Sequence, residues 1–226
     1  MENRDQFQHY IQWRDLPLSV LYFIHSGSTV PGDHSHSFYE LVLVREGNAS
    51  HFMNNEMVSI RAGNLFLVPP GKVHGYRDAE QLGIYNILFT ETIMESFRQD
   101  LANTPNYQML FHLQPGLFSN MRVKTDMLTL DHEHFTKAVN LADEIMHEAK
   151  TKGAGSQTAA FGEFLQLIVY LIRHAHFGGS AEKTLCVYQI SRLLAEMDRN
   201  CAKEWSLESM AAFVKMSQSS FRQQFR

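Results

Sequence analysis

The sequence predicts an α+β protein in which an antiparallel β-barrel precedes a pair of helices and a smaller all-α region. Up to residue 90, short apolar segments alternate with turns, which is typical of an antiparallel barrel of the jelly-roll type. From residue 131 onwards, apolar residues recur at helical spacing, and basic residues accumulate near the C-terminus. We therefore expect three regions, at 1–130, 131–178 and 183–226.

The composition is that of a globular protein, with 226 residues of which 44% are hydrophobic and 19% charged. Its charge is unevenly divided: Lys183 to Arg226 has a net charge of +3, whereas the whole chain has −4. This division is expected if only the C-terminal region meets phosphate. Cys186 and Cys201 offer neither a disulfide framework nor a zinc-finger spacing. No signal peptide or bilayer-spanning stretch is apparent, so we expect a cytoplasmic protein without a membrane partner.

The predicted barrel consists of short strands separated by turns. Strands are expected at Leu18–Ile24, Tyr39–Val44, Ala49–Met53, Met57–Ile60, Asn64–Val68 and Gly83–Phe89. Glu46-Gly47-Asn48 is expected to end the second of these strands, and Asn54-Asn55-Glu56 to form a hairpin turn.

Helical spacing predicts a short helix near Glu91–Leu101, followed by irregular chain from Pro105. Asp131–Lys150 and Thr158–His174 are expected to form an antiparallel helix pair, with Ser156 as the cap of the second helix. The apolar face of that second helix is wide enough either to pack on the barrel or to join a second subunit. A homodimer is therefore one of two open outcomes.

Histidines and one glutamate form the strongest chemical pattern. His34, His36 and Glu40 are separated by even numbers, so on a strand all three would face the same side. His74 follows the turn at Pro69-Pro70-Gly71, and strand pairing would bring it beside the others. Three imidazoles and one carboxylate suit a single divalent transition metal, such as Zn, Ni, Mn or Fe.

Two interpretations of this set remain open. Such side chains are costly to bury without a partner, which favours a metal ion. Alternatively, they hydrogen bond to each other and line a pocket for an organic ligand. Tyr76, which shares the parity of His74, and Asn86, which interrupts an apolar strand, are further candidates for ligand binding. His51 and the remaining histidines form no such group, so we assign them to surface or interface positions.

The C-terminal residues have the spacing of two short helices joined by a turn. Ser206 and Ser217 are suitable N-caps, and Phe221 with Phe225 would bury one face of the second helix. Its opposite face carries Arg and Gln, which can hydrogen bond to guanine and adenine edges. The candidate DNA-binding residues are Gln218, Ser219, Arg222, Gln223 and Arg226.

Taken in order, these motifs resemble a known family. The two cupin motifs are matched by Gly32, His34, His36, Glu40 and Gly47, then by Gly63, Pro69, Gly71 and His74, although Asp78 replaces the usual final Asn. Followed by the helix pair and the helix-turn-helix at Trp205–Phe225, they resemble the AraC/XylS family of transcription regulators, especially sugar-responsive members of the rhamnose type. The resemblance implies a dimerising domain that binds a small-molecule effector, here expected to be a carbohydrate, and C-terminal helices that bind DNA.

The sequence departs from this family at its end. Such regulators carry two helix-turn-helix units, whereas this sequence stops at Arg226, within the first recognition helix. We therefore expect a fragment or a truncated gene, with weak or absent specific binding to an operator.

Two functions other than regulation are also compatible with parts of the sequence. A metal-dependent cupin enzyme, either an isomerase or a dioxygenase, would use the histidines and the glutamate but would leave the C-terminal helices unexplained. A purely structural dimerisation module predicts no ligand in the pocket. The sequence shows no nucleophilic triad, phosphate-binding glycine loop or dinucleotide motif, and we expect no enzyme activity.

Overall fold

A computed structural model of the protein describes residues 4–5, 7–27, 32–53, 56–113, 127–177 and 181–224. The strands are β1 (Arg4–Asp5), β2 (Leu18–His25), β3 (Ser35–His36), β4 (Tyr39–Met53), β5 (Glu56–Arg61), β6 (Asn64–Val68), β7 (His74–Phe89), β8 (Leu128–Thr129) and β9 (His176–Phe177). The helices are α1 (Glu91–Leu101), α2 (Pro105–Gln108), α3 (His132–Thr151), α4 (Ser156–His174), α5 (Ala181–Arg199), α6 (Leu207–Phe213) and α7 (Gln218–Gln224). A 3-10 turn at Phe7–Tyr10 and a π-helical turn at Met109–Leu113 complete the described elements. Four residues named in the sequence analysis lie outside the described residues: 54 and 55 of the predicted hairpin turn, Phe225 and Arg226.

Seven strands form one antiparallel sheet in the order β2-β7-β4-β6-β8-β9, with β5 paired to β4. A separate parallel pairing joins β1 to β3. The helices follow the sheet along the chain, apart from the two-residue strands β8 and β9. The predicted α+β class, an antiparallel barrel followed by helices, is confirmed.

Strands β4 and β7 are much longer than predicted because both continue through β-bulges. Glu46-Gly47-Asn48 does not end a strand, and β4 runs on while its register with β7 shifts between Val44 and Ser50. Gly47 has a φ of +71°, and a Cβ atom there would lie 2.1 Å from the carbonyl oxygen of Gln81. The glycine therefore allows two strands to approach closely within a bulge. The prediction that Glu46-Gly47-Asn48 ends the strand was wrong.

The helical region agrees with the sequence prediction in most respects. Helix α1 has the predicted bounds, and Asp131 caps α3 by accepting a hydrogen bond from the backbone N–H of His134. Two expectations were wrong. Pro105 opens helix α2, where its fixed φ suits the first position, and Gly155 rather than Ser156 is the N-cap of α4. None of the helices in the described ranges is long and apolar enough to cross a membrane.

Alternate residues of the strands face two different cores. Leu41, Tyr85 and Phe89 belong to the outer core, where the sheet packs against the helices. Val42 and Phe66 belong to the inner core, which the sheet encloses. The apolar face of α4 packs in the outer core, with Phe164, Ile168 and Leu171 fully buried. The sequence left open whether this face packs on the barrel or joins a second subunit, and in the structure it packs on the barrel.

Helix α5 contributes to two cores. Val187 and Ile190, in its first half, are fully buried in the outer core, where the helix packs against α2 and the π-helical turn. Leu193, one turn later, lies in a small C-terminal core with Ala211 and Phe221.

Candidate metal and ligand site

Strand pairing places the predicted metal ligands side by side. The backbone N–H of His34 donates to the carbonyl oxygen of His74 at 3.0 Å, and the N–H of His74 donates back at 2.9 Å. The N–H of Gly71 donates to the carbonyl oxygen of His36, which holds the Pro-Pro-Gly turn beside β3. His34, His36 and Glu40 do not share one strand, because β3 ends at His36 and β4 begins at Tyr39. The three side chains meet because the chain bends between the two strands. The prediction that they face one side of a single strand was therefore wrong.

The four side chains converge on the carboxylate of Glu40. Its Oε2 atom lies 3.0 Å from Nε2 of His36 and 3.5 Å from Nε2 of His74. His34, Glu40 and His74 each offer a ligand atom, and these atoms lie within 4.8 Å of one another. His36, Glu40 and His74 are buried, whereas His34 is half-buried.

The hydrogen bonds of two imidazoles show which of their nitrogens carries the proton. Nδ1 of His36 lies 2.7 Å from the carbonyl oxygen of Phe38, and Nδ1 of His34 lies 2.9 Å from that of Gly32. A carbonyl oxygen only accepts, so Nδ1 is the protonated nitrogen of each neutral ring and Nε2 bears a lone pair. Metal-binding histidines are commonly fixed by this contact to a backbone carbonyl.

Several buried nitrogens of the cluster are available to a ligand. Nε2 of His36 and both ring nitrogens of His74 are buried and have no hydrogen-bond partner among the described residues apart from the Glu40 carboxylate. Nε2 of His36 lies 3.0 Å from the Glu40 oxygen, and the two atoms can share either a proton or a cation. The residues therefore fit a divalent metal ion, which would accept these lone pairs and neutralise the buried carboxylate.

The ionisation of the cluster agrees with this fit. Burial alone would raise the pKa of Glu40, but the surrounding His74, His36 and His34 outweigh it and hold the pKa at about 2. Burial lowers the pKa of His74 to about 4, against the opposing charge of Glu40. At neutral pH, the cluster therefore combines an ionised carboxylate with a neutral His74, the states required for metal ligation.

His51 is a member of this region that sequence reasoning missed. It is 1% exposed, and its ring centroid lies 4.3 Å from Phe66, 5.3 Å from Tyr76 and 5.9 Å from His74. The assignment of His51 to a surface or interface was wrong. In a regular strand, residues 40 and 51 would face opposite sides of the sheet, because they are separated by an odd number of residues. The register shifts of β4 lie between them and turn His51 to the same side as Glu40.

A cavity of about 300 Å³ opens from the cluster. His34, His36 and Glu40 line one part of it, and Phe23, Phe38, Leu21 and Leu88 line another. In the part of the chain that the structure describes, no Lys or Arg lines this cavity. Its mouth carries Asp33, whose two carboxylate oxygens accept hydrogen bonds from Arg77 at 2.7 and 2.8 Å.

The two further ligand-binding candidates also line this cavity. Tyr76 is 3% exposed, and its ring lies between those of His25 and His51. Its hydroxyl and the side-chain oxygen of Asn86 are buried without a hydrogen-bond partner among the described residues. Both atoms are therefore available to a ligand in the cavity.

The candidate DNA-binding residues lie on the last helix. Ser206 and Ser209 form a capping box at the start of α6, and Ser217 accepts a hydrogen bond from the N–H of Ser220 at the start of α7. Phe221 is 4% exposed and faces the C-terminal core. Gln218, Ser219, Arg222 and Gln223 are exposed, and Arg226 lies outside the described residues.

Comparisons with known proteins found similar sequences and structures. The chain is 25% identical over 194 residues to the "HTH-type transcriptional activator RhaR" of Cronobacter sakazakii and 27% identical over 195 residues to that of Klebsiella pneumoniae. Each match covers 86% of this chain, which spans 64–65% of the length of these relatives. Among solved structures, the chain is similar to a "Cupin 2 conserved barrel domain protein" from Salinispora arenicola, with 19% identity, a TM-score of 0.32 and coverage of 38% of this chain and 76% of that one.

A family model described as "AraC-like ligand binding domain" matches residues 18–168. This range includes strands β2 to β8, the histidine and glutamate cluster, and most of the helix pair. The chain belongs to the AraC-like ligand-binding domain family.

Proposed function

We propose that this protein is a ligand-responsive transcription regulator that binds a small effector, a carbohydrate, in its barrel. The observation that carries the proposal is the cavity beside His34, His36, Glu40 and His74, in a chain of the AraC-like ligand-binding family. The names of the relatives, which are transcriptional activators, support the regulatory role.

The same four residues would hold one divalent transition metal. When bound, such an ion supplies positive charge and coordination positions for oxygen atoms of the effector. His34 and His36 are oriented by backbone carbonyls, and Glu40 provides the negative charge. Tyr76 and Asn86 would hydrogen bond to the effector from the cavity wall.

DNA would be contacted by the exposed face of α7, through Gln218, Ser219, Arg222 and Gln223, together with Arg226. Arg and Gln can read guanine and adenine edges, and Ser can bond to either a base or a phosphate. Half-buried residues of the helix pair α3–α4 outside the face packed on the barrel, such as Phe161 and Leu165, would join two copies of the chain as a homodimer. Effector binding would shift the population between two arrangements of the barrel and the C-terminal helices.

A thermal-shift screen of free carbohydrates, with Zn²⁺-loaded and EDTA-treated protein, tests the sensor function. We expect at least one carbohydrate to raise the Tm of the wild type, because a ligand that binds only the folded state stabilises it. The Glu40→Gln variant should lose the effect, whereas His147→Ala, at an exposed histidine of α3, should keep it. A complete panel without any shift would contradict a carbohydrate sensor.

A metal-dependent cupin enzyme is the second candidate, and the histidine and carboxylate donor set favours it. It accounts for the cluster but gives the exposed Arg222 and Gln223 no role. Oxygen uptake by Fe²⁺-loaded protein in the presence of carbohydrates would support a dioxygenase, and conversion of a sugar without oxygen uptake would support an isomerase.

A further inference from the structure

We propose that helix α1 couples the effector cavity to helix α5, and through α5 to the C-terminal helices. A hydrogen bond from Tyr39 holds the start of α1 beside the cavity wall, and hydrogen bonds from Gln108 join its end to α5. This inference rests on the proposed regulatory function and names the route by which the effector site would act on the C-terminal helices.

The start of α1 is attached to a strand that forms the cavity wall. Tyr39 is the first residue of β4 and lies between Phe38 and Glu40, which both line the cavity. Successive side chains of a strand face opposite sides, so Glu40 faces the cavity and Tyr39 packs against the outer core. The Tyr39 hydroxyl donates to Oε2 of Glu91, the first residue of α1, at 2.7 Å. A displacement of the backbone at Phe38 or Glu40 would therefore move the group that holds the start of α1.

Helix α1 is braced along its length. It has 11 residues and is about 16 Å long, and Ile93 and Phe97 on one face are buried in the outer core. On its other face, Arg98 donates hydrogen bonds to Glu95, one turn before it, and to Glu91, two turns before it. Such pairs stabilise a helix, so α1 would transmit a movement of its first turn to its last.

The end of α1 is attached to α5 by one glutamine. The side-chain nitrogen of Gln108 donates to the carbonyl oxygen of Ala102, the C-cap residue of α1, at 2.8 Å, and also to the carboxylate of Asp198 in α5. An amide nitrogen carries two N–H groups, and both are used here. Movement of α1 without α5 would break a hydrogen bond of a buried amide, which is costly.

The electrostatics of Tyr107 support the same junction. This residue of α2 is fully buried, and its ring stacks on Phe111 with the centroids 4.6 Å apart. Burial raises the pKa of Tyr107, the guanidinium of Arg98 in α1 opposes that rise, and the carboxylates of Glu91 and Asp198 add to it. Charges of both α1 and α5 therefore act on one side chain between them.

Helix α5 connects this junction to the C-terminal core. Leu193 of α5 packs there with Ala211 of α6 and Phe221 of α7. The apolar contacts of α5 with the outer core have no strict directional requirement, whereas the hydrogen bond accepted by Asp198 has one. This bond therefore selects among the positions of α5 that apolar packing alone would allow.

Hydrogen exchange of the full chain, measured by mass spectrometry without any effector, tests the coupling. Tyr39→Phe removes only the hydroxyl, because the ring can still stack on Phe89, and Asp198→Ala removes the acceptor on α5. We expect each variant to speed exchange at residues 193–213 at least about threefold, because each loses a hydrogen bond that holds these helices closed. The double variant should show less than the product of the two effects, since either change already disconnects the two ends.

Tyr22→Phe and Asp100→Ala are the matched controls. The Tyr22 hydroxyl donates to Glu46 at an exposed position, and Asp100 is exposed on α1, so neither change should alter exchange at residues 193–213. Amides of β6 should keep their wild-type rates in every variant, which separates coupling from a general loss of stability. The inference is overturned if Tyr39→Phe behaves like Tyr22→Phe, if the single effects multiply in the double variant, or if β6 accelerates equally.

This experiment contains no effector, so its outcome is independent of the carbohydrate screen. Failure of the coupling would leave a carbohydrate sensor that acts by another route. A carbohydrate screen without any shift would contradict the sensor and leave the measured coupling between β4 and α5 in place.

Discussion

Glu40 is the residue on which the proposed site depends, because it is a buried carboxylate with a pKa near 2. Its oxygen is the point at which the imidazoles of His36 and His74 meet. Its low pKa means that the surrounding imidazoles stabilise the ionised form in the metal-free protein, and a bound cation would stabilise it further. The residue therefore contributes both to metal binding and to the stability of the metal-free fold at neutral pH.

Glu40→Gln separates these two effects. We expect Zn²⁺ affinity to fall by at least about 100-fold, since loss even of groups that only orient a metal ligand commonly costs 10–100-fold. The metal-free variant should be less stable than metal-free wild type at neutral pH, because a carboxylate whose pKa is held below its ordinary value stabilises the folded state. Competition with a chromogenic chelator measures the first effect and urea unfolding the second. Zn²⁺ affinity equal to that of the His147→Ala control would contradict the assignment.

The buried histidines predict a pH dependence of the metal-free protein. Burial lowers the pKa of His51 to about 3 and that of His74 to about 4, from an ordinary value of 6.5. As the pH falls below 6.5, the unfolded chain takes up protons first, so stability is complete above that pH and is lost towards the folded values. Glu40 contributes to the pH dependence of the unfolding free energy only below pH 4.5. Its contribution to the stability of the fold is lost as the pH falls towards its folded pKa of about 2.

His51→Phe should therefore flatten the stability profile between pH 6.5 and 4.5, above the range in which Glu40 contributes. Each buried histidine contributes a slope of up to about 1.4 kcal/mol per pH unit. Urea unfolding of EDTA-treated protein at several pH values measures the slope, with His147→Ala as the exposed control. A slope that matches wild type would show that His51 does not titrate in this way.

At the scale of the elements, the bulges in β4 and β7 decide which residues face the inner core. Gly47 lies where the two strands approach most closely, and Asp78 and Gln81 of β7 have positive φ values of 51° and 46°. These bulges place His51 on the same side as Glu40. Removing the glycine should strain both strands at once.

Gly47→Ala should destabilise the protein by at least about 2 kcal/mol, because its Cβ would meet the backbone of Gln81 and its φ is left-handed. Gly153→Ala is the control, since no atom lies within 4 Å of the added Cβ. Urea unfolding of both variants measures the change in the free energy of unfolding. Equal stability of the two would mean that the bulge adapts to a side chain.

The local spacing of residues was sufficient to predict an antiparallel barrel followed by helices, the bounds of α1 and the convergence of His34, Glu40 and His74. It was insufficient at Gly47, because a glycine between two apolar segments looks the same in a turn and in a bulge. The missed His51 follows from that error, since parity cannot be carried through a bulge whose presence is unknown. Helix α2 was missed because a proline can either break a helix or begin one.

At the scale of the whole molecule, the barrel and the C-terminal helices are connected through α2 and α5. The side-chain amide of Gln108, a residue only 2% exposed, donates both to the carbonyl oxygen of Ala102 and to the carboxylate of Asp198 near the end of α5. Val187 and Ile190 add apolar contact on the same helix. This contact is a physical connection between α2, which follows the barrel, and α5, which leads to the helices proposed to bind DNA.

A double-mutant cycle with Gln108→Ala and Asp198→Ala measures that connection. Each change should cost about 1–2 kcal/mol in free energy of unfolding, and the double variant should cost about 0.5–1.5 kcal/mol less than the sum. Gln166→Ala, at an exposed position of α4, serves as the control for loss of a glutamine side chain. Strict additivity would show that the two groups do not interact in solution.

The continuity of α5 has a mechanical consequence. This helix has 19 residues, with Val187 and Ile190 packed in the outer core and Leu193 in the C-terminal core. Val187 and Leu193 are only about 9 Å apart along the axis, so a rigid helix joins the two cores with no flexible linker between them. A shift or rotation of this helix at the outer core would therefore carry α6 and α7 with it as a single body.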